Sequence, residues 1–223
     1  MTDVMGSAPA GANVIVAGVG GQGVLMISEM IALAAVDAGF DAKQTEVHGV
    51  SQRGGSVHSH VRFAARVHSP LVPIGQADLV IGLEKLEAYR FAPYIRPAGT
   101  VILNDHEVSP VSAGTAGVEA YPHDAAATLD RMGVPTRLVR ATELAERDLG
   151  NVKVANLIVL GFAAPWLPIP VDTWAGLLAT RIPPRFLDLN RRAFDLGASL
   201  AQAAGPGPAH RPGPAPALPI VTA

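Results

Sequence analysis

No cysteine occurs in the 223 residues, which excludes disulfides, thiolate-held zinc, iron–sulfur ligation and a cysteine nucleophile within this chain. Charge is also scarce: only 16% of residues are charged, and 17 Lys+Arg against 19 Asp+Glu leave a net charge of −2. No global basic field therefore draws the chain to nucleic acid. Long apolar runs are missing too. The longest uncharged apolar stretch, Leu157 to Val171, has 15 residues and three prolines, whereas a membrane span needs about 20 apolar residues. The first dozen residues lack the basic start and apolar run of a signal peptide. What is abundant is core material. Hydrophobic residues make up 49%, which excludes a disordered or fibrous chain and leaves a soluble, cytoplasmic protein as the expectation.

Composition divides the chain into three parts. Residues 1–12 are small and polar and read as a flexible leader, and 13–204 as a single α/β domain. Residues 205–223 hold six of the 19 prolines and three glycines without an acid, and read as a disordered tail. Short apolar runs predict strands at Val14–Ala17, Lys43–His48, Val57–Ala64, Asp78–Leu83, Thr100–Leu103, Val118–Tyr121 and Thr136–Val139. Helical patterns cover Gln22–Ala38, Lys85–Tyr94, Ala125–Met132, Val152–Ala164, Thr173–Thr180 and Pro184–Ala203. This alternation predicts a Rossmann-like, mostly parallel sheet with helices on both faces and a helical C-terminal part.

The strongest local signal is Gly18-Val19-Gly20-Gly21-Gln22-Gly23, between a strand and a helix. In such a turn, glycines let backbone amides approach an anion at the helix N-terminus; the plain alternative is a tight turn with nothing bound. A dinucleotide site also wants an acid at the end of the second strand, and Glu46, 23 residues after Gly23, could serve. However, Ser51-Gln52-Arg53-Gly54-Gly55-Ser56 follows at once, a loop such a unit does not need.

From Val47 to Ala77 there are three arginines (Arg53, Arg62, Arg66) and four histidines (His48, His58, His60, His68) but no acid. An anionic ligand or acidic partner fits this segment. Alternation puts His58, His60 and Arg62 on one strand face, which is a ligand face or simply a solvated one. A zinc reading of the histidines fails for want of a nearby carboxylate and because Arg62 would repel a cation. In a parallel sheet the strand ends would gather the glycine turn, Glu46, His48, Glu84, Asn104 and Asp105 in one crevice. Glu87 and Arg90, at i,i+3 spacing, read as an exposed helix ion pair. No serine-nucleophile, phosphate-loop or zinc-helix motif is present, so no catalytic residue is assigned in this chain.

Three stretches together carry a family likeness. They are Gly18 to Val24, Glu46-Val47-His48-Gly49-Val50-Ser51-Gln52-Arg53-Gly54-Gly55-Ser56-Val57 continuing through Ser59-His60-Val61-Arg62-Phe63, and Asn190 to Gly197. Ser69-Pro70-Leu71, Ala77-Asp78, Glu84 to Ala88, Gly99-Thr100-Val101 and Gly150-Asn151 through Gly161 add to it. Over roughly residues 13 to 200 the chain resembles the gamma-type domain of the 2-oxoacid:acceptor oxidoreductases, most of all the small (beta) subunit of indolepyruvate:ferredoxin oxidoreductases. The resemblance implies an enzyme active only as a complex, in which a large partner subunit carries thiamine diphosphate, Mg and iron–sulfur clusters. That complex would decarboxylate an aryl 2-oxoacid oxidatively, use coenzyme A as co-substrate and pass electrons to ferredoxin. This chain would bind no cofactor alone; it would pack beside the thiamine site and help hold coenzyme A or close the substrate pocket. Its glycine turn and Arg53 would then meet an anionic group. The competing expectations are a stand-alone NAD(P)-binding oxidoreductase and a ligand-binding module without chemistry.

Overall fold

The computed structural model describes residues 11–48, 55–108 and 121–205. Its strands are β1 (Ala12–Val19), β2 (Asp41–His48), β3 (Ser56–Ala64), β4 (Ala77–Gly82), β5 (Ile95–Asn104) and β6 (Thr136–Val139). Its helices are α1 (Val24–Asp37), α2 (Lys85–Arg90), α3 (Ala125–Arg131), α4 (Ala141–Leu149), α5 (Ala155–Ala163), α6 (Val171–Arg181) and α7 (Pro184–Ala203). The strands form one sheet in the order β2-β3-β1-β4-β5-β6.

Strand alternation divides the core between the two faces. Val14 and Val16 of β1, Leu79 and Ile81 of β4 and Ile102 of β5 pack with α1 and α4 to α7. Ile15 and Ala17, Val80, and Val101 and Leu103 pack on the other face with Ala88, Phe91 and Leu129 around α2 and α3. The strand residues are buried from both sides, and each such Val, Ile or Leu stabilises the fold by roughly 1.5–3 kcal/mol. A sheet covered by helices on both faces matches the expected α/β class.

The sheet departs from the expected pattern at β3. Parallel pairing holds for β1 with β4, β4 with β5 and β5 with β6, but β3 runs antiparallel to both β1 and β2. The cause is length. Only residues 49–55 join β2 to β3, and a parallel crossover needs a dozen residues or more.

α1 ends where Gly39 takes a left-handed conformation (φ 89°). The Phe40 amide then donates back to the Ala35 carbonyl, and the Phe40 ring drops edge-on against Phe63. α5 is apolar except for Asn156 and nearly wholly buried, as its sequence AlaAsnLeuIleValLeuGlyPheAla requires. It meets α7 through two glycines: a Cβ on Gly161 would lie 2.0 Å from the Phe194 carbonyl oxygen, and one on Gly197 2.0 Å from that of Ile158. The two backbones therefore touch directly.

The expected α7 limits agree with those observed, as do those of β6. Residues 140–151 contain α4, a helix the sequence pattern does not predict. Ala12, assigned to the leader, is the first residue of β1. Residues 1–10, 49–54, 109–120 and 206–223 lie outside the described residues, and with them the rest of the leader, most of the tail and the Val118–Ala120 part of one expected strand. Tyr121 itself belongs to no strand. No helix among the described residues is long and apolar enough to cross a membrane.

Candidate functional site

β1 delivers the glycine turn to the carboxyl edge of the sheet, at the point where the chain leaves for one side by α1 and returns on the other by β4. Sheets of this kind present ligands with a crevice at that place. The turn is held from within and from beside. Gln22 accepts the Val19 amide on its side-chain Oε1 (2.8 Å) and donates its own backbone amide to the Val19 carbonyl (3.0 Å). The Gly20 amide donates to the carbonyl of Gly55 (2.9 Å), just before β3. Gly21 and Gly23 have φ values of 101° and 87°, which only glycine adopts readily. Space above Gly21 is open, whereas a Cβ on Gly23 would lie 2.3 Å from Asn156 Nδ2. Gly18 is less tight, with Gln22 Oε1 2.8 Å from where its Cβ would stand.

A cavity of about 350 Å³ opens on this turn. Gly21, Gln22 and Gly23 line it together with Leu83, Asn104, His106, Thr142, Lys153 and Asn156. The residue that precedes α1 (Gly23), the second residue of α4 (Thr142) and the first two of α5 (Ala155 and Asn156) border it, so three helix N-termini lend it a positive potential. No side chain caps α1, so no side chain takes its first-turn amides. No carboxylate lines the cavity among the described residues, and Lys153 adds a cation that makes no ion pair among them.

Two asparagines play different parts here. Asn104 is buried and fully engaged: Nδ2 donates to the Leu83 carbonyl and to Thr142 Oγ1, while Oδ1 accepts the amides of Ala141 and Thr142. It braces β5 against the start of α4. Asn156, also buried, offers Nδ2 only a thioether, Met26 Sδ at 3.7 Å, so hydrogen-bonding capacity remains beside Gly23.

Of the residues predicted for the site, Gly18, Gly20, Gly21, Gln22, Gly23, Gly55, Ser56 and Asn104 gather at this edge. β2 also ends here, with His48 opposite Val57, and Glu46 lies opposite Ser59. β3 stands between β2 and β1, so the acid expected beside the glycine turn is one strand, about 5 Å, further away than in a dinucleotide unit. Ser51, Gln52, Arg53 and Gly54 lie outside the described residues.

Glu84 comes to the edge but is wholly buried as the N-cap of α2, accepting the amides of Glu87 (2.8 Å) and Val108 (3.2 Å) and the hydroxyl of Tyr121. Burial and this carboxylate push the Tyr121 phenol above its ordinary range. Glu87, expected in an exposed pair, is only 4% exposed. It accepts from Ser56 Oγ (2.5 Å) and Arg90 Nη1 (2.6 Å), and burial raises its carboxyl pKa.

His60 and Arg62 do not reach the crevice. His60 pairs with Ile15 in mid-sheet, is buried beside Tyr94 and His58, and accepts the Val72 amide on Nδ1 (3.1 Å). Burial, aided by the neighbouring His58, lowers its pKa to about 4. Arg62 lies toward the opposite edge, opposite Asn13, and spends its guanidinium on Asn13 Oδ1 (2.8 Å) and the carbonyls of Ser69 (3.1 Å) and Leu71 (3.2 Å). On this face Arg62 and His60 hold Ser69, Leu71 and Val72 in place. Lys153, Thr142, His106 and Asn156 were not singled out as site residues. Only Thr142 carried a signal, since a helix that follows a parallel strand, as α4 follows β6, starts at the carboxyl edge.

Residues 13–200 match the family model described as pyruvate ferredoxin/flavodoxin oxidoreductase, and the chain belongs to that family. It is 34% identical over 200 residues to the indolepyruvate oxidoreductase subunit IorB of Thermococcus kodakarensis, covering 85% of this chain and 96% of the relative. Among solved structures it resembles the keto/oxoacid ferredoxin oxidoreductase gamma subunit of Geobacter sulfurreducens. There the TM-score is 0.65 at 22% identity, over 86% of this chain and 99% of the other. It also matches 31% of a 2-oxoglutarate:ferredoxin oxidoreductase chain from Magnetococcus marinus, a structure with 2-oxoglutarate, coenzyme A and succinyl-CoA bound. The TM-score is 0.67 at 20% identity, over 87% of this chain.

Proposed function

We propose that this chain is the small subunit of a cytoplasmic, thiamine-diphosphate-dependent 2-oxoacid:ferredoxin oxidoreductase that converts an aryl 2-oxoacid such as indolepyruvate to its acyl-CoA. The observation that carries the reading is the near end-to-end likeness to an indolepyruvate oxidoreductase subunit. A large partner subunit supplies thiamine diphosphate, Mg and the iron–sulfur clusters, in keeping with a chain that has no cysteine. This subunit's part is to hold anionic groups of coenzyme A. The α1 amides and the open space over Gly21 fit a phosphate, Lys153 adds charge, and Asn156 Nδ2 adds a donor. Arg53 belongs to the same task.

Co-expression with the large subunit encoded in the same genome tests this reading. The expected result is a stoichiometric complex that reduces ferredoxin with indolepyruvate and coenzyme A, and does so faster than with pyruvate. A chain that purifies alone with a nicotinamide dinucleotide, or a complex that prefers pyruvate, would overturn it. Arg53→Ala is expected to lower turnover of the complex well beyond any loss of thermal stability; equal losses would remove Arg53 from the site.

A further inference from the structure

Glu87 is placed at odds with an ordinary surface ion pair. An i,i+3 pair on an exposed helix face leaves its carboxylate in water, where it is favoured. Here the carboxylate is buried, a position that is unfavourable unless each oxygen has a partner. One oxygen takes Arg90. The other takes the hydroxyl of Ser56, the first residue of β3, which pairs with Val19 at the end of β1. The residue before it, Gly55, holds the Gly20 amide by its carbonyl. A continuous path therefore runs from the carboxylate through Ser56 and Gly55 to the middle of the glycine turn. Glu84 stiffens its origin by accepting the Glu87 amide.

We infer that Glu87 is a positioning residue that, through Ser56 and Gly55, fixes where the Gly20 amide and its neighbours stand in the crevice. It touches no ligand itself. Gln22 braces the same turn from inside, so losing the outer brace loosens the turn without dissolving it. A site whose donors are held by a second layer of hydrogen bonds loses affinity when that layer is cut. The kinetic consequence rests on the function proposed above; the structural one does not.

Two readouts separate these. In the full-length chain, Ser56→Ala is expected to speed amide exchange at Gly20 about tenfold, roughly one hydrogen bond to a charged group, while Leu157 to Leu160 stay as protected as before. In the assembled complex the same substitution is expected to raise KM for coenzyme A about tenfold with kcat within about twofold, on the same energetic scale. Ser56→Thr, which keeps the hydroxyl, should restore both. Glu87→Ala, which removes the acceptor, provides a second cut should Ser56→Ala fail to fold. Unchanged Gly20 exchange overturns the inference, as does faster exchange in an active complex whose KM holds. If the wild-type complex shows no turnover dependent on coenzyme A, the functional reading falls, and exchange at Gly20 alone then supports or overturns the brace.

Discussion

Two polar regions of this molecule look alike in sequence and differ in what they leave unused. On β3, His60 and Arg62 sit in a stretch rich in cations and free of acids, the composition of an anion site. Yet Arg62 Nε and Nη1 are given to Asn13, Ser69 and Leu71, and His60 Nδ1 takes the Val72 amide, so these groups serve the fold. At the glycine turn the groups are fewer and mostly backbone. Even so, an uncapped helix, an open space over Gly21 and an under-used Asn156 amide remain. A site is marked by hydrogen-bonding capacity left over after folding, not by the density of charged side chains.

The comparison can be broken most forcefully at Gly23. Gly23→Val requires a β-branched side chain at φ 87° and a Cβ against Asn156, so turnover of the complex should fall more than ~100-fold. Steady-state kinetics beside circular dichroism check this, and an active Gly23→Val complex would refute the assigned geometry.

The β3 region should respond through stability instead. Folding lowers the His60 pKa from 6.5 to about 4, so the unfolded chain binds the extra proton first as pH falls. Stability is therefore full above pH 6.5 and is lost on descending toward 4, by at most about 3 kcal/mol at 1.36 kcal/mol per unit. Urea titrations of wild type and His60→Gln across this window should show a steeper loss in the wild type. Arg62→Ala should lower stability by about 2 kcal/mol, the scale of hydrogen bonds to a charged group, with KM for coenzyme A unchanged. A raised KM would return Arg62 to the site.

The smallest effect is expected at Lys153. It is exposed, so Lys153→Ala should raise KM for coenzyme A only about fivefold, in line with a screened charge, with no change in thermal midpoint. That KM effect should shrink at high salt. A salt-independent change would point to packing instead.

Much of the fold was legible because its signals are local. β-branched runs between glycines mark β1 and β4, and Pro184 opens α7. α4 was not legible: its buried stripe is Ala141 and Ala145, with Leu144 and Leu149 only partly buried, while Arg147 pairs with Glu143 and Asp148 on a surface that reads as a polar loop. The orientation of β3 was available from the short link after β2 but is hidden by a pattern of alternating strands and helices. For the site, the glycine turn announces itself through backbone demands at adjacent residues. Asn104, Lys153 and Asn156 carry no local mark, and only the sheet order brings them to the turn. Glu87 is concealed more thoroughly, since its spacing to Arg90 imitates a surface pair.

The direct backbone contact between α5 and α7 has a mechanical meaning. Side chains that interdigitate can slip by changing rotamer, but two backbones pressed together at Gly161 and Gly197 have no such slack. α5 begins at the cavity with Ala155 and Asn156, and α7, 20 residues long, lies against it at Gly161 and Gly197. The two helices are thus joined with little play, and the start of α5 lies at the pocket. A neighbouring subunit that took hold of α7 would also take hold of the pocket wall.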